Sequence, residues 1–262
     1  WVIKAAEAGK HILGEKPAAN NAEEVSEMLA ACRQHGVQYM HGVMYMHSQR
    51  LPMLRTLLDD PQQVGTLRRM TSQFSFNGGE EFCRSNIRVH SELEPYGCLG
   101  DLGWYCVRFF LWAMRGALPS QVRGRILTEL QGEGSPAPVP GEFAGELLFK
   151  EGVSASFYCS FITQHQQWVH ISGSGGYLKM DDFVLPFHGS ELAATVGQDI
   201  FTQDNCAFHM EHHPQRFAVR EYDAGEYSAQ EVRMIRNFVE LTQSGVLSEE
   251  WPDWTLKTQK VL

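Results

Sequence analysis

The tripeptide Glu15-Lys16-Pro17 closes a short apolar run, HILGE (11–15). A run of this length and composition fits a buried strand. In parallel α/β sheets ligands lie outside the carboxyl ends of the strands, so a strand ending here directs Lys16 into a crevice. Pro17 fixes the backbone that aims it. Asp101 and Tyr105 stand at i and i+4 within GCLGDLGWYCVRFFLW (97–112). On a helix they share a face, and a carboxylate beside a phenol can orient and move a proton. Arg88 and His90, in NIRVH, bring a cation and an imidazole just ahead of that helix, and Arg50 stands in SQRLP. His209, His212 and His213, in HMEHHPQ, have a spacing that on a helix would place two imidazoles together for a metal. No HExxH order is present and Pro214 stops a helix, so this segment reads as a solvated loop rather than a zinc site.

The elements that must position these groups follow from periodicity. Residues 1–9 read as the last turns of a helix stopped by Gly9. Asn21 is a helix cap with Glu24 in capping-box position, followed by Val25, Met28, Leu29 and Cys32 at helical spacing, and Gly36 ends the helix. VQYMHGVMY (37–45) is the next strand. This strand–helix–strand rhythm is that of a doubly wound α/β unit with parallel strands. Pro52 suits the first turn of a helix carrying Leu54, Leu57 and Leu58. Beyond it the pattern changes. TLRRMTSQFSF (66–76) alternates with period two, the mark of a half-covered strand. A helix from Gly97 to Arg115 follows, then five strands (QVRGRILTELQ, EFAGELLFKEG, VSASFYCSFIT, QWVHISGSGG and YLKMDDFV) with a hairpin turn at Glu151-Gly152. GEGSPAPVPG (132–141) is a loop, and a last helix spans about Ser228 to Gln243.

Composition narrows the partners. The 262 residues are 43% hydrophobic and can bury a sizeable core, and 22 basic against 31 acidic residues give a net charge of −9, which argues against nucleic acid or an anionic membrane as partner. No apolar run approaches the roughly 18 residues of a spanning helix. The six cysteines form no C-x-x-C pair, so a reducing, cytoplasmic setting is expected. The first residue is Trp1, not Met, which marks a processed chain or a fragment.

Five blocks in order resemble the glucose–fructose oxidoreductase / inositol dehydrogenase (Gfo/Idh/MocA) family: AAEAGKHILGEKP, VMYMHSQRLP, GCLGDLGWYCVRFFLW, GSGGYLKMDDFVLPF and SAQEVRMIRNF. SNIRVHSEL is similar to the sugar- and dihydrodiol-dehydrogenase branch. The fold this implies is α/β plus α+β. Residues 1–47 form the C-terminal part of a Rossmann-type nucleotide-binding domain. Residues 48–262 form a mostly antiparallel, open β-sheet domain with flanking helices. The G-x-G-x-x-G turn that opens such domains does not occur in the 262 residues, and Gly173, Gly175 and Gly176 precede a strand and read as a hairpin turn. As it stands, the chain is therefore expected to hold a dinucleotide weakly and to show no measurable dehydrogenase activity.

The resemblance implies an oxidoreductase that uses NAD or NADP and moves a hydride to or from a secondary alcohol of a sugar, polyol or cyclic diol. Lys16, Tyr105 and Asp101 are then the catalytic group, with the Tyr105 phenol acidified by the Lys16 ammonium. Glu15, Lys16, Pro17 and Arg50 contact the cofactor, and Arg88, His90 and Tyr105 contact the substrate. The alternating strands leave a Ser, Thr and aromatic face uncovered, which implies a homodimer or larger assembly joined sheet to sheet. The alternative is a non-catalytic oligomerisation or binding module derived from such an enzyme.

Overall fold

The computed structural model describes residues 1–222 and 227–262. At the N-terminus, α1 (Val2–Glu7) ends before Gly9, whose φ of +67° takes the chain out of the helix. Strand β1 (Ile12–Gly14) and strand β2 (Tyr39–His41) pair in parallel, with α2 (Ala22–Gln34) as the crossover between them. Asn21 caps α2 by accepting the Glu24 N–H at 2.8 Å, and the Glu24 carboxylate reaches back to the Asn20 N–H at 3.0 Å. Val25, Leu29 and Cys32 on the buried stripe of α2 join Ala6, Val37 and Tyr39 in a small core. The strand expected over 37–45 is only three residues long. The Gly42 N–H donates to the Gly14 carbonyl, Val43 turns, and a 3-10 turn (Met44–His47) carries the chain into α3 (Arg50–Asp59).

Most of the chain surrounds one eight-stranded sheet. Its strands are β3 (Leu67–Asn77), β4 (Gln121–Leu130), β5 (Val139–Leu148), β6 (Ser154–Ser160), β7 (Ile162–Gly173), β8 (Tyr177–Met180), β9 (Glu191–Gly197) and β12 (Pro214–Arg220), in the order β12-β9-β8-β7-β3-β6-β5-β4. Every neighbouring pair is antiparallel except β3 and β6. The β5–β6 hairpin turns through Glu151 and Gly152, both at positive φ, as expected from their sequence. Met70, Phe74, Ala155, Phe157 and Ile171 point from the sheet into the main core, against α5 (Trp104–Ala113). On the other face Arg69 reaches Ser154 and Ser156, and Tyr158 donates to Glu142.

Several elements lie beyond the sequence-based expectation. β9 and β12 extend the sheet, and β10 (Ile200–Asp204) with β11 (Ala207–Glu211) forms a separate exposed hairpin. His209 therefore lies on a strand, so the helical spacing of the histidine cluster does not hold. His212 pairs with Asp199 at 2.8 Å and His213 with Glu211 at 2.9 Å. The helix α6 (Gln230–Gln243) is not the last. A further helix, α7 (Glu250–Val261), returns to pack on α2, β2 and α5, placing Leu256 against the small core and Trp254, Val261 and Leu262 against the large one. No described helix is long and apolar enough to cross a membrane.

Candidate active site

Beyond the carboxyl end of β1 lies a cleft of about 300 Å³ whose lining includes Lys16, Arg88, Glu94 and Asp101 with Ile87 and Tyr96. Lys16 leaves β1 through Glu15, and its peptide bond to Pro17 is cis. Pro17 also lines the cleft. Across the cleft, α5 begins with a π-turn (Leu99–Gly103), so the helix expected from Gly97 is not one regular α-helix. Asp101 lies in that wider turn and Tyr105 in the first turn of α5. β2 and α5 are tied below the cleft by the edge-on packing of His41 against Trp104, with ring centroids 4.9 Å apart.

The structure brings together Lys16, Asp101, Tyr105 and Arg88. The Lys16 ammonium donates to the Asp101 backbone carbonyl at 2.7 Å and to its Oδ1. The same Oδ1 lies 3.0 Å from Arg88 Nε, so Asp101 bridges two cations. The Lys16 and Asp101 side chains are only 10% and 9% exposed, whereas Arg88 is 40% exposed, so the pair sits at the floor and Arg88 at the rim. Lys16 Nζ also stands 4.9 Å from the centroid of the Tyr105 ring, a cation–π contact. The acidified phenol expected from the sequence is not what forms. Burial pushes the Tyr105 pKa up, and the Asp101 and Glu15 carboxylates push it the same way. Tyr105 is a neutral phenol at physiological pH, a hydrogen-bond donor rather than a phenolate.

Other expected residues lie apart from this cluster. The Arg50 guanidinium is buried, with a side chain 3% exposed. It donates to the Asp182 carboxylate and, at 2.7 Å, to the Asp182 carbonyl. It ties α3 to the segment after β8, so the guanidinium expected at the cofactor is held in this buried pair. His90 is not in the cleft lining. Its Nδ1 accepts the Glu92 N–H at 3.3 Å and its carbonyl takes the amides of Leu93 and Glu94, so it shapes the turn that carries Glu94. Glu15 is exposed, with its carboxyl on the Gly42 side of the β1–β2 pair.

One acidic residue escaped the sequence reading. Glu94 is 7% exposed, lines the cleft, and has its pKa raised to about 7, by burial first and then by Asp101. Nothing in ELEP marks it. The available signal was the spacing of Gly97, Gly100 and Gly103, a helix edge without side chains. A Cβ at Gly97 would lie 2.2 Å from the Pro140 carbonyl oxygen and one at Gly100 would lie 2.4 Å from Glu94 Oε1. Tyr96 completes the wall by donating its hydroxyl to the Asn20 carbonyl.

Comparison with known proteins bears on the family and the fold. Residues 1–43 match the oxidoreductase family with an NAD-binding Rossmann fold, and residues 53–179 match the GFO/IDH/MocA C-terminal domain. Among curated relatives, trans-1,2-dihydrobenzene-1,2-diol dehydrogenase of Bos taurus is 29% identical over 175 residues, 67% of this chain and 49% of that protein. The NADP-dependent scyllo-inositol 2-dehydrogenase IolU of Bacillus subtilis is 34% identical over 183 residues, 68% of this chain and 52% of that protein. The chain thus spans about half the length of the curated relatives it matches. Among solved structures, an aldose–aldose oxidoreductase from Caulobacter crescentus superposes with a TM-score of 0.76 at 22% identity, over 99% of this chain and 70% of that one. A 3-ketoreductase from Actinomadura kijaniata, in complex with TDP-benzene and NADP, gives a TM-score of 0.75 at 21% identity, over 100% of this chain and 71% of that one. A short Rossmann segment leading into a mostly antiparallel sheet, with both family models matched in order, makes this chain a member of the Gfo/Idh/MocA family.

Proposed function

We propose that this protein takes part in NAD(P)-dependent oxidation or reduction at a secondary alcohol carbon of a sugar, polyol or cyclic diol. The observation that carries this reading is the Lys16–Asp101 pair, nearly buried at the carboxyl ends of two parallel strands, with the Tyr105 ring beside the ammonium. A nicotinamide fits that position, because ligands of parallel α/β sheets lie there and Lys16 and Pro17 already line the cleft. When bound, the nicotinamide supplies the hydride acceptor or donor. The protein's own part is proton handling. Lys16 contacts the substrate oxygen and carries its proton, held in place by the carbonyl and carboxylate of Asp101. Arg88, from the rim, fixes the same carboxylate and offers its remaining N–H groups to further hydroxyls. Tyr105 donates a hydrogen bond as a neutral phenol.

The dinucleotide's pyrophosphate needs a glycine-rich turn and the helix behind it, which these 262 residues do not contain. The test is therefore made with the corresponding N-terminal segment of a curated relative joined ahead of Trp1. Reduction of NADP or NAD with scyllo-inositol or a trans-dihydrodiol as substrate supports the reading. A folded, cofactor-binding chimera that is inactive on sugars, polyols and diols in both directions counts against it.

A further inference from the structure

The cleft holds a second carboxyl that this scheme leaves unused. The turn after His90 delivers Glu94 into the cleft wall, where it is 7% exposed beside the Lys16–Asp101–Arg88 cluster. Its Oε1 is buried and has no hydrogen-bond partner among the described residues. Gly100, which has no Cβ, leaves the space this oxygen occupies.

The two carboxyls of the cleft have different surroundings. Asp101 pairs with both cations through one oxygen, Oδ1, and accepts a charge-assisted hydrogen bond from Lys16. Glu94 forms no ion pair among the described residues, and a buried oxygen without a donor favours the neutral acid. Two titratable groups whose surroundings push them apart divide the acid and base roles of a site between them.

We propose that Glu94 is the proton relay of this cleft, a positioning residue that acts through Lys16 and touches no substrate atom. The proposal rests on the hydride-transfer reading above. In the oxidative direction the Lys16 ammonium first gives a proton, through cleft water, to the Glu94 carboxylate, and the amine so formed takes the proton of the substrate O–H bond as that bond breaks. A bound oxidised nicotinamide would accept the hydride as the substrate C–H bond breaks and the carbonyl C=O bond forms. Glu94 then releases its proton to water, so Lys16 is again an ammonium and Glu94 a carboxylate. The reductive direction runs the same transfers in reverse. Asp101, fixed between Lys16 and Arg88, stays ionised throughout. The groups that face Glu94 are Asp101 from the π-turn, Lys16 from the segment after β1, Arg88 from the turn before it, and the Tyr96 amide. Burial and Asp101 raise its pKa to about 7 while the other three pull it down, which leaves a group able to take and give a proton near neutrality.

The test is a pH titration of the 262-residue chain by NMR with carboxyl-labelled glutamate, which needs no turnover. One glutamate resonance is expected to titrate near neutrality, to vanish in Glu94→Gln, and to move to higher pH in Lys16→Met, which removes a neighbouring positive charge. If every glutamate titrates near the ordinary value of about 4.3, or if the near-neutral resonance ignores Lys16→Met, the relay is overturned. The Lys16 variant keeps the test open should Glu94→Gln fail to fold. In the active chimera, Glu94→Gln is expected to remove the near-neutral limb of the kcat profile, and an unchanged profile overturns the proposal. A wild-type chimera without turnover overturns the hydride-transfer reading and with it the relay's catalytic role. The NMR titration then tests the coupling of Glu94 to Lys16 by itself.

Discussion

At the scale of single residues, the proximity of Lys16, Asp101 and Tyr105 was legible because chemistry and spacing coincide. A lysine held by a proline at a strand end, and an Asp and a Tyr four apart on a helix, have few ways to meet other than across a cleft. They meet there, with Asp101 between Lys16 and Arg88. The burial of Arg50 was not legible, because its partner, Asp182, lies 132 residues away and nothing local marks a guanidinium that will be buried against it. Glu94 was missed for a similar reason, since its special state comes from tertiary burial and a neighbouring carboxylate. The protonation state of Tyr105 was also beyond the sequence, which shows a nearby lysine but not the depth of the pocket. This yields a prediction. Tyr105→Phe removes a hydrogen-bond donor and leaves the buried ring, so in the chimera kcat should fall by about 10²- to 10⁴-fold. The fold should be retained, as circular dichroism will show. Wild-type kcat in a folded Tyr105→Phe variant would remove Tyr105 from the proton-handling group.

At the scale of elements, caps and turn glycines were readable, as at Asn21, Gly9 and Glu151-Gly152. The missed elements are those without local periodicity. β10 and β11 are exposed along their whole length, and α7 owes its place to contacts with α2, β2 and α5 rather than to a strong stripe of its own. The 3-10 turn after β2 illustrates how such contacts matter. His47 stacks on Trp251 of α7, with centroids 4.4 Å apart, and its Nδ1 accepts from Asn237 of α6 at 2.8 Å. Burial lowers its pKa to about 4 from 6.5, with Arg108 adding to the effect. Between those two values the unfolded chain binds more protons than the folded one. The stability His47 contributes by staying neutral is therefore whole above about 6.5 and is lost as pH falls toward 4. The wild type should lose about 2 kcal/mol more than His47→Phe on going from about pH 8 to about pH 5. Urea unfolding at the two pH values measures the difference. Equal losses in both proteins would mean that His47 titrates normally.

At the scale of the whole molecule, the two-part plan of a short parallel pair and a long mixed sheet was legible from the switch in hydrophobic period, from about 3.6 in the first helices to two in β3. Strand order was not, because it depends on which strands meet after long connections, as with the parallel pairing of β3 and β6 inside an otherwise antiparallel sheet. The sheet face opposite α5 carries Arg69, Ser154, Ser156, Tyr158 and Glu142 in a hydrogen-bonded array. Trp168 and His170 lie on the adjoining β7 with their rings 4.7 Å apart. A broad, flat, polar–aromatic face of this kind suits pairing with a second copy. Light scattering at tens of micromolar should report a dimer or larger species, and monomer alone would argue against sheet-to-sheet assembly.

The central claim is that a buried lysine at the end of a parallel strand handles the proton of the reacting alcohol. It makes Lys16 dispensable for cofactor binding but not for turnover. The measurement is kcat and nicotinamide Kd for Lys16→Met in the chimera that carries a complete dinucleotide-binding segment. The expected result is a loss of kcat by at least the roughly 10²- to 10⁴-fold of a missing acid–base group, with Kd within several-fold of wild type. Near wild-type kcat on any accepted sugar, polyol or diol would contradict the account.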